Sequence, residues 1–336
     1  MKTKLLHQGV IMPDPDSVFF ADDVNPAQIH KGAVIHPGCR LYGSETSIGP
    51  DCQIGAESPV TIRNCQLGKG VEIGGGFLEG TTILDGATAG DGLHSRPGTL
   101  LEEFSSVAHT DGLKQTVLMP FVTLGSLINF CDVLMAGGTS SKNHSEVGSS
   151  YIHFNFTPHQ DKATASLVGD VPRGVMMDCA PIFLGGQGGL VGPCRVAFGT
   201  VVAAGSVLRR NVLEENMLIT GTSDNASLRT RPYNPLQYGN VNIIIENNLI
   251  YLGNLLALKA WYGYVRAPIM KKTAWGAACL VGAQKRIGEI WKERIKRLDQ
   301  LAEKLEVSVE SAGDRASSIV FAAQKKFIAD WPDIRT

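Results

Sequence analysis

The chain has 336 residues, enough for about two domains and a sizeable core. Its formal charge of -1 supplies no basic stripe for nucleic acid, and its seven cysteines, without CxxC pairs, read as reduced thiols in a cytoplasmic protein. The opening MKTKLLHQGVIMPDPD is broken by His7, Gln8 and Pro13 and fails as a signal peptide, and NLIYLGNLLALKAWY is interrupted by Asn254 and Lys259, so no membrane span is expected.

Residues 1–30 read as an irregular lead-in. From 31 to 221 the chain is rich in Gly, Val, Ile and Thr and repeats in sixes. Ile48 and Ile54 stand six apart, as do Leu67 and Ile73, and each is followed by Gly (Gly49, Gly55, Gly68, Gly74). The clearest stretch is LVGPCRVAFGTVVAAGSVL, where Leu190, Val196, Val202 and Leu208 fall at every sixth place. A helix repeats near 3.6 residues and an ordinary strand at 2, whereas six is the period of a parallel β-helix. Gly at the corners suits the backbone angles such turns need. Irregular insertions are expected near 82–112 and 153–182.

TGTSDNASLRTRPYNPLQYGN supplies the Pro, Asn and Gly of a linker over 222–240. From 241 to 336 an α-helical domain is expected. Ile287, Ile290, Trp291, Ile295, Leu298, Leu301 and Leu305 follow steps of three and four, with KERIKR, Glu303 and Lys304 on the opposite face. Pro268 is expected to separate this helix from one over 241–265, and Gly313 from a last one near 314–330. The apolar stripe reads as a packing face against the β-helix or a second copy.

Arg96 and Lys114 are 114 − 96 = 18 residues apart, three hexads and hence one full turn. They are expected to stack on one face, as a phosphate clamp or as two solvated cations.

Four segments carry a resemblance: HSRPGTLLEEFSSVAHTDGLKQT (94–116), SSKNHSEVG (140–148), NFTPHQDKATASLVGD (155–170) and IFLGGQGGLVGPCRVAFGTVVAAGSVLRRNV (182–212). In this order they resemble the hexapeptide-repeat acyltransferases with a left-handed parallel β-helix. They are most similar to the C-terminal acetyltransferase domain of the bifunctional enzyme that acetylates glucosamine 1-phosphate and uridylylates the product. The resemblance implies a cytoplasmic homotrimer with active sites between neighbouring β-helices. Its implied activity is N-acetylation of an amino-sugar phosphate or nucleotide-linked amino sugar, with acetyl-coenzyme A as co-substrate and no metal. The N-terminal uridylyltransferase domain of that relative has no counterpart, so pyrophosphorylase activity is not expected.

By resemblance, Arg96 and Lys114 hold phosphate, His144 acts as general base, and Asn155 and Lys162 orient the sugar. Gly186 and Ala204 line the pantetheine arm of the coenzyme, and Arg209 and Arg210 meet its phosphates. The chain departs from the pattern in five places. LMPFVTLGSLINFCDVLM adds one coil between Lys114 and His144, the chain is shorter between His144 and Asn155 and two residues longer between Asn155 and Lys162, Phe156 replaces a Tyr, and Val147 stands where the family has another Tyr. These changes keep a second reading open, a non-catalytic sugar-nucleotide-binding or scaffold trimer. A third is a zinc enzyme resembling the carbonic anhydrases of the same fold, with His109, His144 and His153 as ligands.

Overall fold

The computed structural model describes residues 1–221, 233–313 and 319–335. The first 221 residues wind into a parallel β-solenoid with three sheets, of ten, eight and ten strands. Neighbouring strands within each sheet are parallel throughout the described residues. Sheet 1 runs from Phe19–Phe20 to Val207–Leu208, sheet 2 from Ser47–Ile48 to Arg195–Val196, and sheet 3 from Val34–Ile35 to Leu218–Ile219. The chain visits them in the order 1, 2, 3 on each turn.

The sixfold writing maps onto this geometry directly. Leu190, Val196, Val202 and Leu208 lie on successive strands of sheets 1, 2, 3 and 1, and Leu190 pairs with Leu208 after a complete turn. All four point into the solenoid and are buried, each such side chain contributing roughly 1.5–3 kcal/mol. Ile48 stacks on Leu67 and Ile54 on Ile73 in the same way. Corner glycines have two separate causes. Gly55 has φ +82, whereas a Cβ at Gly49 would stand 2.3 Å from the Gly68 carbonyl oxygen of the next turn.

Two expectations shift. The lead-in carries helix α1 (Lys2–His7) and already joins the solenoid, since Phe19 and Phe20 pair with Arg40 and Leu41. The stretch 82–112 is regular coil, its strands in register with both neighbours. Its hexads are obscured because Ser, Thr, His and Glu occupy many of its outward and corner positions. The insertion expected near 153–182 is present as two excursions, at 155–165 and 169–182, the second containing α2 (Val171–Gly174), and a further excursion lies at 136–144. LMPFVTLGSLINFCDVLM is one full coil, with Leu118 paired to Met135.

Helices follow: α3 (Asn242–Ala260), a π-helical turn (Trp261–Arg266), α4 (Ala267–Met270), α5 (Ala274–Ser311) and α6 (Ile319–Ile334). Residues 222–232 of the expected linker lie outside the described residues. Pro268 does not end a helix. It sits inside a helical run that continues from α3 through the π-helical turn into α4, and the break comes at Thr273, whose hydroxyl caps α5 by accepting from Gly276 N at 3.1 Å. Gly313, at φ +54, follows the end of α5.

The 38 residues of α5 extend about 57 Å. The helix lies on sheet 2, packing on the strands Ser47–Ile48, Gln66–Leu67, Thr81–Ile83 and Thr99–Leu101, while α3 covers Ser166–Val168. Sheet 2 is therefore buried on both faces, and sheets 1 and 3 keep alternating outward positions open to solvent. Ile287, Ile290, Leu298, Leu301 and Leu305 form the buried stripe, continuous with the solenoid core. Arg294, expected on the polar face as part of KERIKR, lies within this stripe at 1% exposure. Buried amides dock α3. Asn247 donates to the Pro193 carbonyl at 3.1 Å, Asn248 to that of Ala163 at 2.8 Å, and Asn254 accepts from Val171 N at 2.8 Å. Among the described residues no helix is long and apolar enough to cross a membrane.

Candidate functional site

The uncovered face of sheet 1 holds two outward rows. Pairing sets His94 level with Gly112, Gly112 with Asn129, and Lys114 with Cys131. Arg96 N donates to the Leu113 carbonyl at 2.9 Å, which puts Arg96 level with Lys114 one turn away. The absent side chain at Gly112 leaves a notch between His94 and Asn129. With Arg96, Thr110, Leu127 and Ile128 these residues line an open pocket of about 390 Å³. The His94 ring stacks on Phe77, centroids 5.3 Å apart.

Arg96 and Lys114 converge on Cys131. Arg96 Nη2 lies 3.4 Å from Cys131 Sγ, and burial raises the thiol pKa while the two cations oppose the rise. The next residue, Asp132, is buried at the corner between sheets 1 and 2, with φ +66. Its Oδ1 accepts from Arg294 Nη2 at 2.6 Å, and its Oδ2 from Asn155 Nδ2 at 3.2 Å. Arg294 Nη1 also donates to the Lys162 carbonyl at 3.2 Å, while the Lys162 residue itself is exposed. Asp132 and Arg294 thus tie the loop carrying Asn155 and Lys162 to the coil next to Lys114. Lys304 Nζ adds bonds to the His159 and Gln160 carbonyls, 2.9 Å each.

Between the lining residues Thr110 and Gly112, Asp111 is almost wholly buried. Its Oδ1 accepts from Ile128 N at 2.6 Å, its Oδ2 has no partner among the described residues, and burial raises the carboxyl to about 6 despite nearby His109. A perturbed acid beside a pocket is a common property of functional sites.

His144 lies elsewhere. It ends the 136–144 excursion at the corner between sheets 2 and 3, with Nδ1 3.0 Å from the Ser141 carbonyl and Nε2 3.4 Å from Glu146 Oε2. Within one chain it is not among the pocket-lining residues. Gly186 and Ala204 lie at the corner between sheets 3 and 1. There a Cβ on Gly186 would come 2.8 Å from the Ser149 carbonyl oxygen, so close stacking of turns by itself requires glycine. Arg209 and Arg210 follow the last strand of sheet 1 and are exposed.

The three histidines weighed as zinc ligands are not grouped. His109 occupies the corner between sheets 3 and 1, hydrogen-bonded to Ser126 Oγ at 2.9 Å. His153 points into the solenoid between the Cys131 carbonyl at 2.5 Å and Ser166 Oγ at 2.8 Å, and burial lowers its pKa to about 4. Among the described residues no three His, Cys, Asp or Glu side chains gather as a metal site.

The sequence reading missed Asp111, Cys131, Asp132 and Arg294. An 18-residue step from Lys114 reaches Asp132, but this turn takes 17 residues and sets Lys114 level with Cys131, so spacing gave no signal for the corner.

No family model matches the chain, and no curated protein matches its sequence. Among solved structures it is similar to UDP-N-acetylglucosamine O-acyltransferase from Moraxella catarrhalis RH4. The identity is 14%, the match covers 84% of this chain and 95% of that one, and the TM-score is 0.30.

Proposed function

We propose that the protein is an acyltransferase acting on a sugar-linked, phosphate-bearing amine, with acetyl-coenzyme A as donor. The observation that carries this reading is the pair Arg96 and Lys114, level on adjacent turns of an uncovered sheet, in the outward row next to the notch at Gly112, with Arg96 lining the pocket. An Arg fork beside a Lys point charge suits a phosphate, and Asn155, held by Asp132, stands ready to orient a sugar.

His144 serves as the base from a neighbouring copy. Sheet 2 is closed by the chain's own helices, which leaves sheets 1 and 3 for self-association. Outward apolar residues occur on both, Ile152, Phe154 and Val207 on sheet 1 and Phe183, Val201 and Leu218 on sheet 3, all at least 37% exposed. Sheet 1 of one copy against sheet 3 of the next is a heterologous contact that closes as a threefold ring. It faces His144 toward a neighbour's clamp. The donor runs along the corner of Gly186 and Ala204, with Arg209 and Arg210 near its phosphates.

The separation of His144 from the clamp within one chain favours a second reading, a trimer that binds sugar nucleotides without catalysis. The test is calorimetric titration with glucosamine 1-phosphate, a UDP-linked amino sugar and acetyl-coenzyme A, beside coenzyme release and native mass. Transfer reading: all three measurements positive, R96E/K114E without phosphate-ligand binding, and H144A bound but silent. Binding without coenzyme release supports the non-catalytic trimer. Unchanged binding by R96E/K114E removes the clamp, and a monomeric mass removes the shared site.

A further inference from the structure

A second cavity, of about 590 Å³, lies between the corner joining sheets 2 and 3 and the helical segment from Trp261 to Cys279. Trp261 and Trp275 wall it from the helical side, Phe104 and Phe121 from the solenoid. The two Phe rings are nearly parallel, 7° apart with centroids at 5.8 Å. Both residues hold the left-handed backbone conformation, at φ +55 and +65, where bulky side chains are seldom found. At equivalent corner positions the chain uses Gly86 and Asn216. Aromatic rings have been placed here against backbone preference, a pattern associated with functional sites.

Three carboxyls stand among these rings. Glu102 is buried and accepts from the Tyr262 hydroxyl at 2.5 Å, and Arg266 pairs with Glu102 at 3.4 Å and also with Glu103. Asp85 lies one turn from Glu103, accepts the Lys69 N–H at 2.8 Å, and forms no ion pair among the described residues. Among the described residues Arg266 is the one basic residue lining the cavity, against Asp85, Glu102 and Glu103. The entrance is open and apolar, with Phe104 at 55% and Ile269 at 65% exposure.

We propose that this cavity binds a small organic cation with an aromatic or alkyl body, its ammonium toward Asp85 and Glu103 and its body among Trp261, Trp275, Phe104 and Phe121. Ring faces attract cations, and the unbalanced carboxyls repel an anion of the same shape. This site is separate from the clamp and does not depend on the acyl-transfer reading.

Two probes of one skeleton and opposite charge decide the matter: 4-phenylbutylammonium and 4-phenylbutyrate, titrated calorimetrically into the full chain. The ammonium is expected to bind once per chain, at least about tenfold tighter than the carboxylate. D85N/E103Q should erase that preference, and I269W, a change at an exposed rim residue, should weaken both probes; melting curves confirm that each variant is folded. Preference for the carboxylate, binding of neither probe, or ammonium affinity unchanged in both variants overturns the proposal.

Discussion

Arg294 is the residue by which α5 grips the coil beside the clamp, and its replacement by Met gives a sharp test. The guanidinium is 1% exposed, the Asp132 side chain 7%, and they meet at 2.6 Å. Met keeps most of the apolar volume but strands the Asp132 carboxylate in a buried corner. Removing one partner of a buried pair costs about 3–5 kcal/mol. With an unfolding entropy of roughly 2.1 cal/mol/K per residue, that lowers the midpoint of a chain this size by about 4–7 °C. D132N is the matching change, because Asn tolerates the left-handed backbone at this position and its carbonyl can still accept from Asn155. D132N alone strands Arg294 and should cost a similar amount. The double variant D132N/R294M leaves no unpaired charge and should recover about 2 kcal/mol or more relative to the sum of the singles. Urea unfolding of the four proteins supplies the cycle. A cost below about 1 kcal/mol for R294M, or no coupling between the two changes, would refute the argument.

Turn stacking predicts a contrast between two corner glycines. A Cβ at Gly137 would lie 1.5 Å from the Pro120 carbonyl oxygen, so G137A should lose several kcal/mol or fail to fold. Gly205, at φ +74 with nothing within 4 Å of a Cβ, should lose only about 1–2 kcal/mol as alanine, and equal losses in urea melts would contradict this account. Burial raises the Glu102 pKa to about 7 from an ordinary 4.5, so the folded state holds a proton that the unfolded chain releases first. Its contribution to stability is present below about pH 4.5 and is lost as pH rises toward 7, at up to about 1.4 kcal/mol per unit. His153, lowered to about 4, works in the opposite sense, its stability present above pH 6.5 and lost as pH falls through 4. E102Q should therefore gain about 2 kcal/mol relative to the parent between pH 5 and 7, and parallel pH profiles would refute the assignment.

The inward face of the solenoid was legible residue by residue. A six-residue period of aliphatic side chains has few geometric solutions, and Leu190, Val196, Val202 and Leu208 occupy the stacked interior places that the period demands. The 18-residue spacing of Arg96 and Lys114 carried over for the same reason, because strand pairing here preserves register from turn to turn. The apolar stripe of α5 was equally plain, down to its steps of three and four. Covering of sheet 2 could not be read, because hexads describe what points inward and are alike on all three faces. That choice was made by a helix about 200 residues further along the chain. Arg294 looked solvated among Lys292, Lys296 and Arg297, and only docking against Asp132 turned it inward. The excursion at 136–144 puts His144 at a corner away from the clamp, a displacement to which the added coil between Lys114 and His144 already pointed in the sequence. Local pattern reports the backbone period and the buried row, because both repeat within a few residues. Which outward face closes, and which charges meet there, depends on contacts between segments far apart in the chain, and those exist only once it has folded.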